Sequence, residues 1–277
     1  LIELTGDHNE IFVIMTKYSF LPSSPERLLR RRIIPAMSET TVDHRTRVAA
    51  ERRERMRARL IESAMLVFAE KGVGASVIQD VIAAADVSQG TFYKYFRTNE
   101  DLLAAVTQEL NDELLRLIEA EVHGYEDPSL RIACGVRMFL HAARAYPLLA
   151  RFICAAGLNS AGPSSLIYVF LPPHIEQGLA LGRFTDVGVG TALDVIAGTT
   201  LATILRITNE GPQNVVPEPV VAAILRALGV GRLEAEKLVE AVLPPIETPD
   251  TSLLERGHAR MQAQLRPGIR QAPPYRP

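Results

Sequence analysis

The sequence predicts an all-α protein, on three observations. Apolar residues recur at three- and four-residue intervals through nearly all of residues 45–244. No stretch sustains the two-residue alternation of a half-buried strand. Stop and start signals such as Lys71-Gly72, Thr98, Asp127-Pro128 and Tyr146-Pro147 punctuate the periodic segments, and Pro172-Pro173 interrupts one of them.

The elements follow in order. Residues 1–44 show no sustained period, and "LPSSPERLLRRRIIP" is bounded by prolines, so this stretch is expected to be a disordered extension, with a natural start near Met37. Met56, Leu60, Ala64, Val67 and Phe68 mark the first helix, which stops at Lys71-Gly72, a cation followed by a C-terminal glycine. "SVIQ" reads as a capping box in which Ser76 opens a short helix to about Ala85-Asp86 and Gln79 reaches back to it. Val87 to Phe96 is a third short helix. Thr98 caps a fourth, with Glu100 and Asp101 against its dipole, and an apolar stripe from Leu102 to Ile118 carries it to Gly124.

Further on, Asp127-Pro128 opens a helix to about Ala145, and Tyr146-Pro147 opens the next. The "SAGPSS" loop precedes one interrupted at Pro172-Pro173. Helices at 191–208, 219–228 and about 232–242 complete the body, and a tail from 245 to 277 is expected to be mobile, with one short helix near 252–265.

Composition narrows the function. The chain has 277 residues, 47% hydrophobic and 22% charged, which suits a soluble globular protein. Its net charge of −2 conceals a local excess: residues 45–59 hold seven arginines against Glu51 and Glu54. Any phosphate-binding surface is therefore local. The two cysteines, Cys134 and Cys154, lie in apolar segments without metal spacing, as do His123, His141 and His174, so neither disulfide scaffold, metal site nor cofactor is expected. Residues 187–207 approach the length of a membrane span, but Asp194 among threonines and glycines favours a helix at a protein interface. "IFVIM" near the start is too short for a secretory signal, and a cytoplasmic protein with no membrane partner is expected.

The chemistry concentrates at 76–97. Two short helices joined by a tight turn form a helix-turn-helix, whose second helix must offer a small, hydrogen-bonding tip to a major groove. Ser88, Gln89, Gly90 and Thr91 are such a tip, and free amides at a helix start suit phosphate. Phe92 and Phe96, four apart, are core. Tyr93 and Lys94 project elsewhere and can meet backbone or base edges, with Tyr95 divided between packing and DNA. A solvated helix face is the plainer reading of the arginine run, but beside a helix-turn-helix it can track phosphates.

"FAEKG" at 68–72, "VSQGTFYKYF" at 87–96 and "NEDLL" at 99–103 together resemble the DNA-binding domain of the TetR family of bacterial transcriptional regulators over residues 56–103. The resemblance implies a three-helix DNA-binding head (45–97), a helical effector-binding and dimerisation body (98–244), a homodimer on a palindromic double-stranded operator, and usually a small effector that releases the repressor. It places DNA contacts at Ser88, Gln89, Gly90, Thr91, Tyr93, Lys94 and Tyr95, with support from Ser76 and Gln79, and Arg97 is expected to add compensating charge. Three positions depart from the family pattern: Gln89 stands where a basic residue is common, Asn99 where lysine is, and Asp86 where the turn usually has glycine.

"LALGRF" at 179–184 resembles the family's approach to its dimerisation helices. The stripe Val189, Leu193, Ile196, Thr200, Thr203, Ile204 and Ile207, with residues 219–228, is assigned to a four-helix dimer interface, against the alternative of an ordinary core helix. The effector site is expected among Met138, Phe139, His141, Phe152, Tyr168, Phe170 and His174, each of which would serve equally as core; the apolar lining suggests a hydrophobic effector. An enzyme finds no support: "GVGVGT" lacks the lysine of a phosphate loop, and "GLNSAG" has its serine in the wrong place for a nucleophile elbow. A DNA-binding or scaffolding protein of the same fold with no effector is the other alternative, and a sealed body would favour it.

Overall fold

The computed structural model describes residues 40–157, 165–185, 187–249 and 251–265. The chain divides into two compact units, Leu1–Val48 and Ala49–Pro277. Among the described residues, the second holds every helix except the start of the first one.

All regular structure among the described residues is helical. The head comprises α1 (Thr40–Lys71), α2 (Ile78–Ala84) and α3 (Gln89–Phe92). The body follows with α4 (Asn99–Val122), α5 (Pro128–Ala145), α6 (Pro147–Ala156), α7 (Ile167–Ala180), α8 (Val189–Glu210), α9 (Pro217–Ala227), α10 (Arg232–Leu238) and α11 (Leu253–Leu265). The boundary expected at 44/45 falls inside α1, which is already helical at Thr40; the expectation for residues 1–39 lies outside the described residues. From Ala49 onward, the stretches divided in the sequence reading between 97 and 98 belong to the same compact unit.

Terminators act where the chain chemistry places them. Gly72 closes α1 at φ 91°, a conformation costly for a side-chain-bearing residue. Thr98 and Asp101 form a reciprocal capping box at the start of α4. The Asp127 carboxylate accepts from the Ser129 amide (2.9 Å) at the start of α5 and is gripped by Arg183 (Nε–Oδ1 3.0 Å, Nη2–Oδ2 2.9 Å). Burial pushes the Asp127 carboxyl up, but the Arg183 and Ser129 hydrogen bonds outweigh it and hold the group below its ordinary range.

Three expectations are corrected. Ser76 caps nothing: α2 begins after Val77, whose side chain makes no cap bond. Instead the Val77 amide donates to Asn99 Oδ1 (3.1 Å), while Asn99 Nδ2 donates to the Ala75 carbonyl (3.1 Å), so the first residue of α4 holds the start of α2. Second, α7 runs straight through Pro172 and Pro173. The carbonyls of Tyr168 and Val169, one turn earlier, lose the N–H donors that residues 172 and 173 would supply, but both residues are exposed and water can replace those donors. Third, within the tail expected to be mobile, the short helix expected near 252–265 is anchored; residues 266–277 lie outside the described residues. Leu254 and Met261 of α11 are buried, and the helix packs on α4 and α6.

The hydrophobic core is one continuous cluster from Leu60 through Phe92 and Phe152 to Leu254. In the body, α8 lies against α5, α6, α7 and α9, and α4 lies against α5 and α6. The stripe assigned to a dimer interface is the inner face of α8: Ile196, Thr203, Ile204 and Ile207 are buried within the protomer. Its outer face is a different set, with Asp194, Gly198, Ala202 and Leu205 exposed. By length and composition α8 could cross a membrane; its apolar inner stripe is instead packed against protein.

Candidate nucleic-acid interface and effector cavity

The helix-turn-helix is assembled from both ends. Asp86 turns the chain between α2 and α3 at φ 48°, the one non-glycine residue with positive φ among those described. Aspartate visits this region more readily than most residues, which lets the turn form without the glycine common in the resembling family. Ser88 then caps α3: the Thr91 amide donates to Ser88 Oγ (3.2 Å), and the two hydroxyls lie 2.9 Å apart. Beneath the tip, Phe92 and Phe96 are buried, with ring centroids 5.9 Å apart, and Tyr93 meets Phe92 edge-on at 5.5 Å.

Burial sorts the sequence-predicted residues. Ser76, Gln79, Ser88, Gln89, Gly90, Lys94 and Arg97 are exposed. Tyr93 is 43% exposed, whereas Tyr95 is half-buried and packed against the core. Thr91 is half-buried and engaged with Ser88. A Cβ built on Gly90 would meet nothing within 4 Å, so the protein's own packing does not demand glycine there. From α1, Arg57 lies over the Phe96 ring at 6.0 Å, while Arg52, Arg53 and Arg59 are exposed.

The body contains a cavity between α4, α5, α6, α7 and α8 that, with its mouth, holds about 850 Å³ of empty volume. Of the residues expected there, Phe139, Phe170 and His174 line it. The others do not. Met138 and Phe152 are buried in the core, where Phe152 packs edge-on against Phe68 at 5.6 Å. Tyr168 is 45% exposed. His141 instead bonds Glu218 (2.9 Å) on α9 beside Arg137; burial raises the Glu218 carboxyl, but the hydrogen bonds from His141 and the backbone, with the attraction of His141 and Arg137, together outweigh it and leave the group lowered.

Four further residues, not expected from sequence, line the cavity with Ile118, Val136, Ile196 and Ile204: Asn111, Glu119, Arg131 and Thr200. One signal was available: Arg131 interrupts an otherwise apolar run, "LRIACGV", on a helix destined for the core. A buried arginine needs partners. Its Nη1 donates to His174 Nδ1 (3.0 Å) and Gln177 Oε1 (2.9 Å), and Nη2 donates to the Tyr125 carbonyl. Because arginine only donates, His174 accepts at Nδ1 and its Nε2–H donates to Glu119 Oε2 (2.9 Å). Burial raises the Glu119 carboxyl, yet its hydrogen bonds and attraction to His174 and then His123 outweigh this and leave it lowered. No group of three His, Cys, Asp or Glu residues suited to a metal occurs among the described residues.

An exposed helix-turn-helix thus occurs in one chain with a helical body that holds an apolar cavity. Residues 60–106 match the profile of the bacterial regulatory proteins of the tetR family. The chain is similar to the HTH-type transcriptional repressor DhaR of Mycobacterium sp. (strain GP1), 36% identical over 76 residues, which cover 27% of this chain and 38% of that one. It is also similar to the uncharacterised HTH-type transcriptional regulator YvdT of Bacillus subtilis (strain 168), 35% identical over 69 residues, covering 25% and 36% respectively. The matched segment thus spans less than two fifths of the length of these curated relatives. Among solved structures, RolR in complex with resorcinol matches with a TM-score of 0.62 and 28% identity, covering 72% of this chain and all of that one. Residues 60–106 therefore carry a DNA-binding domain like that of the tetR family, and the likeness to RolR extends the shared fold over 72% of the chain.

Proposed function

We propose that this protein is a cytoplasmic, non-enzymatic repressor that binds a palindromic operator as a homodimer and is released by a small apolar effector. The observation that carries the DNA-binding half is the outward set Gln89, Gly90, Tyr93 and Lys94 standing on a buried Phe92–Phe96 pair. Gly90 supports it independently, since a glycine unneeded by internal packing suits close approach of an external surface. Ser88 and Thr91 spend their hydroxyls on each other and set the tip's shape, with spare acceptor capacity for phosphate-bound water. Tyr95 serves mainly as packing.

The cavity favours effector control over a scaffold of the same fold, which would need no such space. That RolR was solved with resorcinol agrees with this reading. For the dimer, the outer face of α8 with its small Gly198 and Ala202, together with exposed Ala223 and Ala227 of α9, offers the close-packing surface.

Fluorescence anisotropy with DNA from upstream of the protein's own gene tests this. Tight binding that falls steeply with salt, and at least a tenfold loss in Tyr93→Ala, are expected. Absence of binding to any DNA at low salt, selected random sequences included, would overturn it.

A further inference from the structure

The cavity is apolar but not wholly so, and two of its polar groups are unusual. Thr203 and Thr208 on α8 turn their hydroxyls back to the carbonyls of Thr199 (2.8 Å) and Ile204 (3.0 Å), the ordinary way a helix satisfies threonine. Thr200, on the same helix and in the cavity wall, does not: its Oγ1 is buried without a hydrogen-bond partner. Arg131 is in the same condition at one atom. Its two terminal nitrogens are bonded, but Nε–H is buried and unpaired. Leaving such groups unmatched is unfavourable, and a ligand supplying the partner would recover that loss.

The wiring of Arg131 decides what that ligand is. An arginine beside an apolar cavity suggests a carboxylate, which a guanidinium grips with two parallel N–H donors. Here Nη1 gives both of its hydrogens, to His174 and Gln177, and Nη2 gives one to the Tyr125 carbonyl, so Nε is the one guanidinium nitrogen with no partner. The positive charge, however, is already answered, because His174 connects Arg131 to the carboxylate of Glu119, which itself lines the cavity. A bound anion would bring an uncompensated charge into an apolar site. From this geometry we infer that the cavity takes an uncharged, largely apolar molecule bearing a hydroxyl or carbonyl oxygen, held at Arg131 Nε and Thr200 Oγ1, and discriminates against its carboxylate analogue. The inference rests on the effector reading of the cavity and narrows it to a ligand class.

Three probes of one shape test it on the full chain by calorimetry and thermal shift: β-naphthol, β-naphthoate and naphthalene. β-Naphthol is expected to bind at least tenfold more tightly than either of the others. Thr200→Val, isosteric and lacking the unpaired hydroxyl, is expected to raise the melting temperature of the unliganded protein while shrinking the β-naphthol advantage over naphthalene at least threefold. A merely structural Thr200 would give the first effect without the second. Tighter binding of β-naphthoate, equal affinity for all three, an unchanged advantage in Thr200→Val, or no binding of any probe would each overturn the inference. The anisotropy of the unliganded protein on DNA is read separately, so loss of the ligand class and loss of the regulator reading are distinguished.

Discussion

Asn99 shows how much one side chain can decide. It stands where the resembling family commonly has lysine, and in sequence it registers only as a lost charge. In the structure its amide accepts from the Val77 N–H and donates to the Ala75 carbonyl, binding the start of the helix-turn-helix to the first turn of α4. Asn99→Ala is expected to cost about 1–2 kcal/mol, since it strands a part-buried amide. Urea denaturation measures this, and operator affinity is expected to fall with it while β-naphthol binding is retained. Asp86 is the complementary case: its backbone role was legible because the turn demands positive φ whatever residue sits there. Ser76 was misread for a related reason. "SVIQ" satisfies the capping-box pattern, but a competing amide 22 residues beyond Val77 already holds that helix start.

At the scale of elements, α11 binds two parts of the molecule. Arg256 pairs with Glu62 and Arg260 with Glu70 on α1 (Arg260 Nε–Oε1 2.5 Å), while the Leu253 amide donates to Glu113 of α4 (3.1 Å) and Tyr146 donates to Glu255. These exposed charges contribute little individually; close packing contributes more. A Cβ on Gly257 would lie 2.6 Å from Met65 Sδ and 3.1 Å from a Leu148 methyl. Gly257→Val is therefore expected to destabilise by about 1–3 kcal/mol and to speed hydrogen exchange of amides 253–265 first. Local punctuation made most helix positions readable: Gly72, Thr98, Asp127 and Pro147 each stop or start an element by their own chemistry. Which face of α8 points inward was not readable, because both faces are rich in small and apolar residues. The cavity residues divide likewise. Phe139, Phe170 and His174 were found by size and polarity, whereas Thr200 and Asn111 carry no local mark of lining a space made by five helices.

Across the whole molecule, Asp127, Glu119 and Glu218 are all held below the ordinary carboxylate range. Groups lowered in the folded state stabilise it fully above their unfolded values, and that stabilisation is lost as pH falls through the lowered folded values. The urea midpoint is expected to vary little from these groups between about pH 7 and 5 and to fall below about pH 4. Asp127→Asn is expected to lower the midpoint at neutral pH and to flatten the acid slope; an unchanged slope would remove Asp127 from the account.

The two-sidedness of α8 has a consequence of its own. Its inner residues form the cavity wall, and its outer residues are proposed to meet a second copy, with one helix thickness between them. Pairing that adjusts this helix adjusts the wall, and by reciprocity an occupied cavity alters the tendency to pair. Effector sensitivity then becomes a property of abundance: a cell holding few molecules and a cell holding many would respond to different amounts of the same compound.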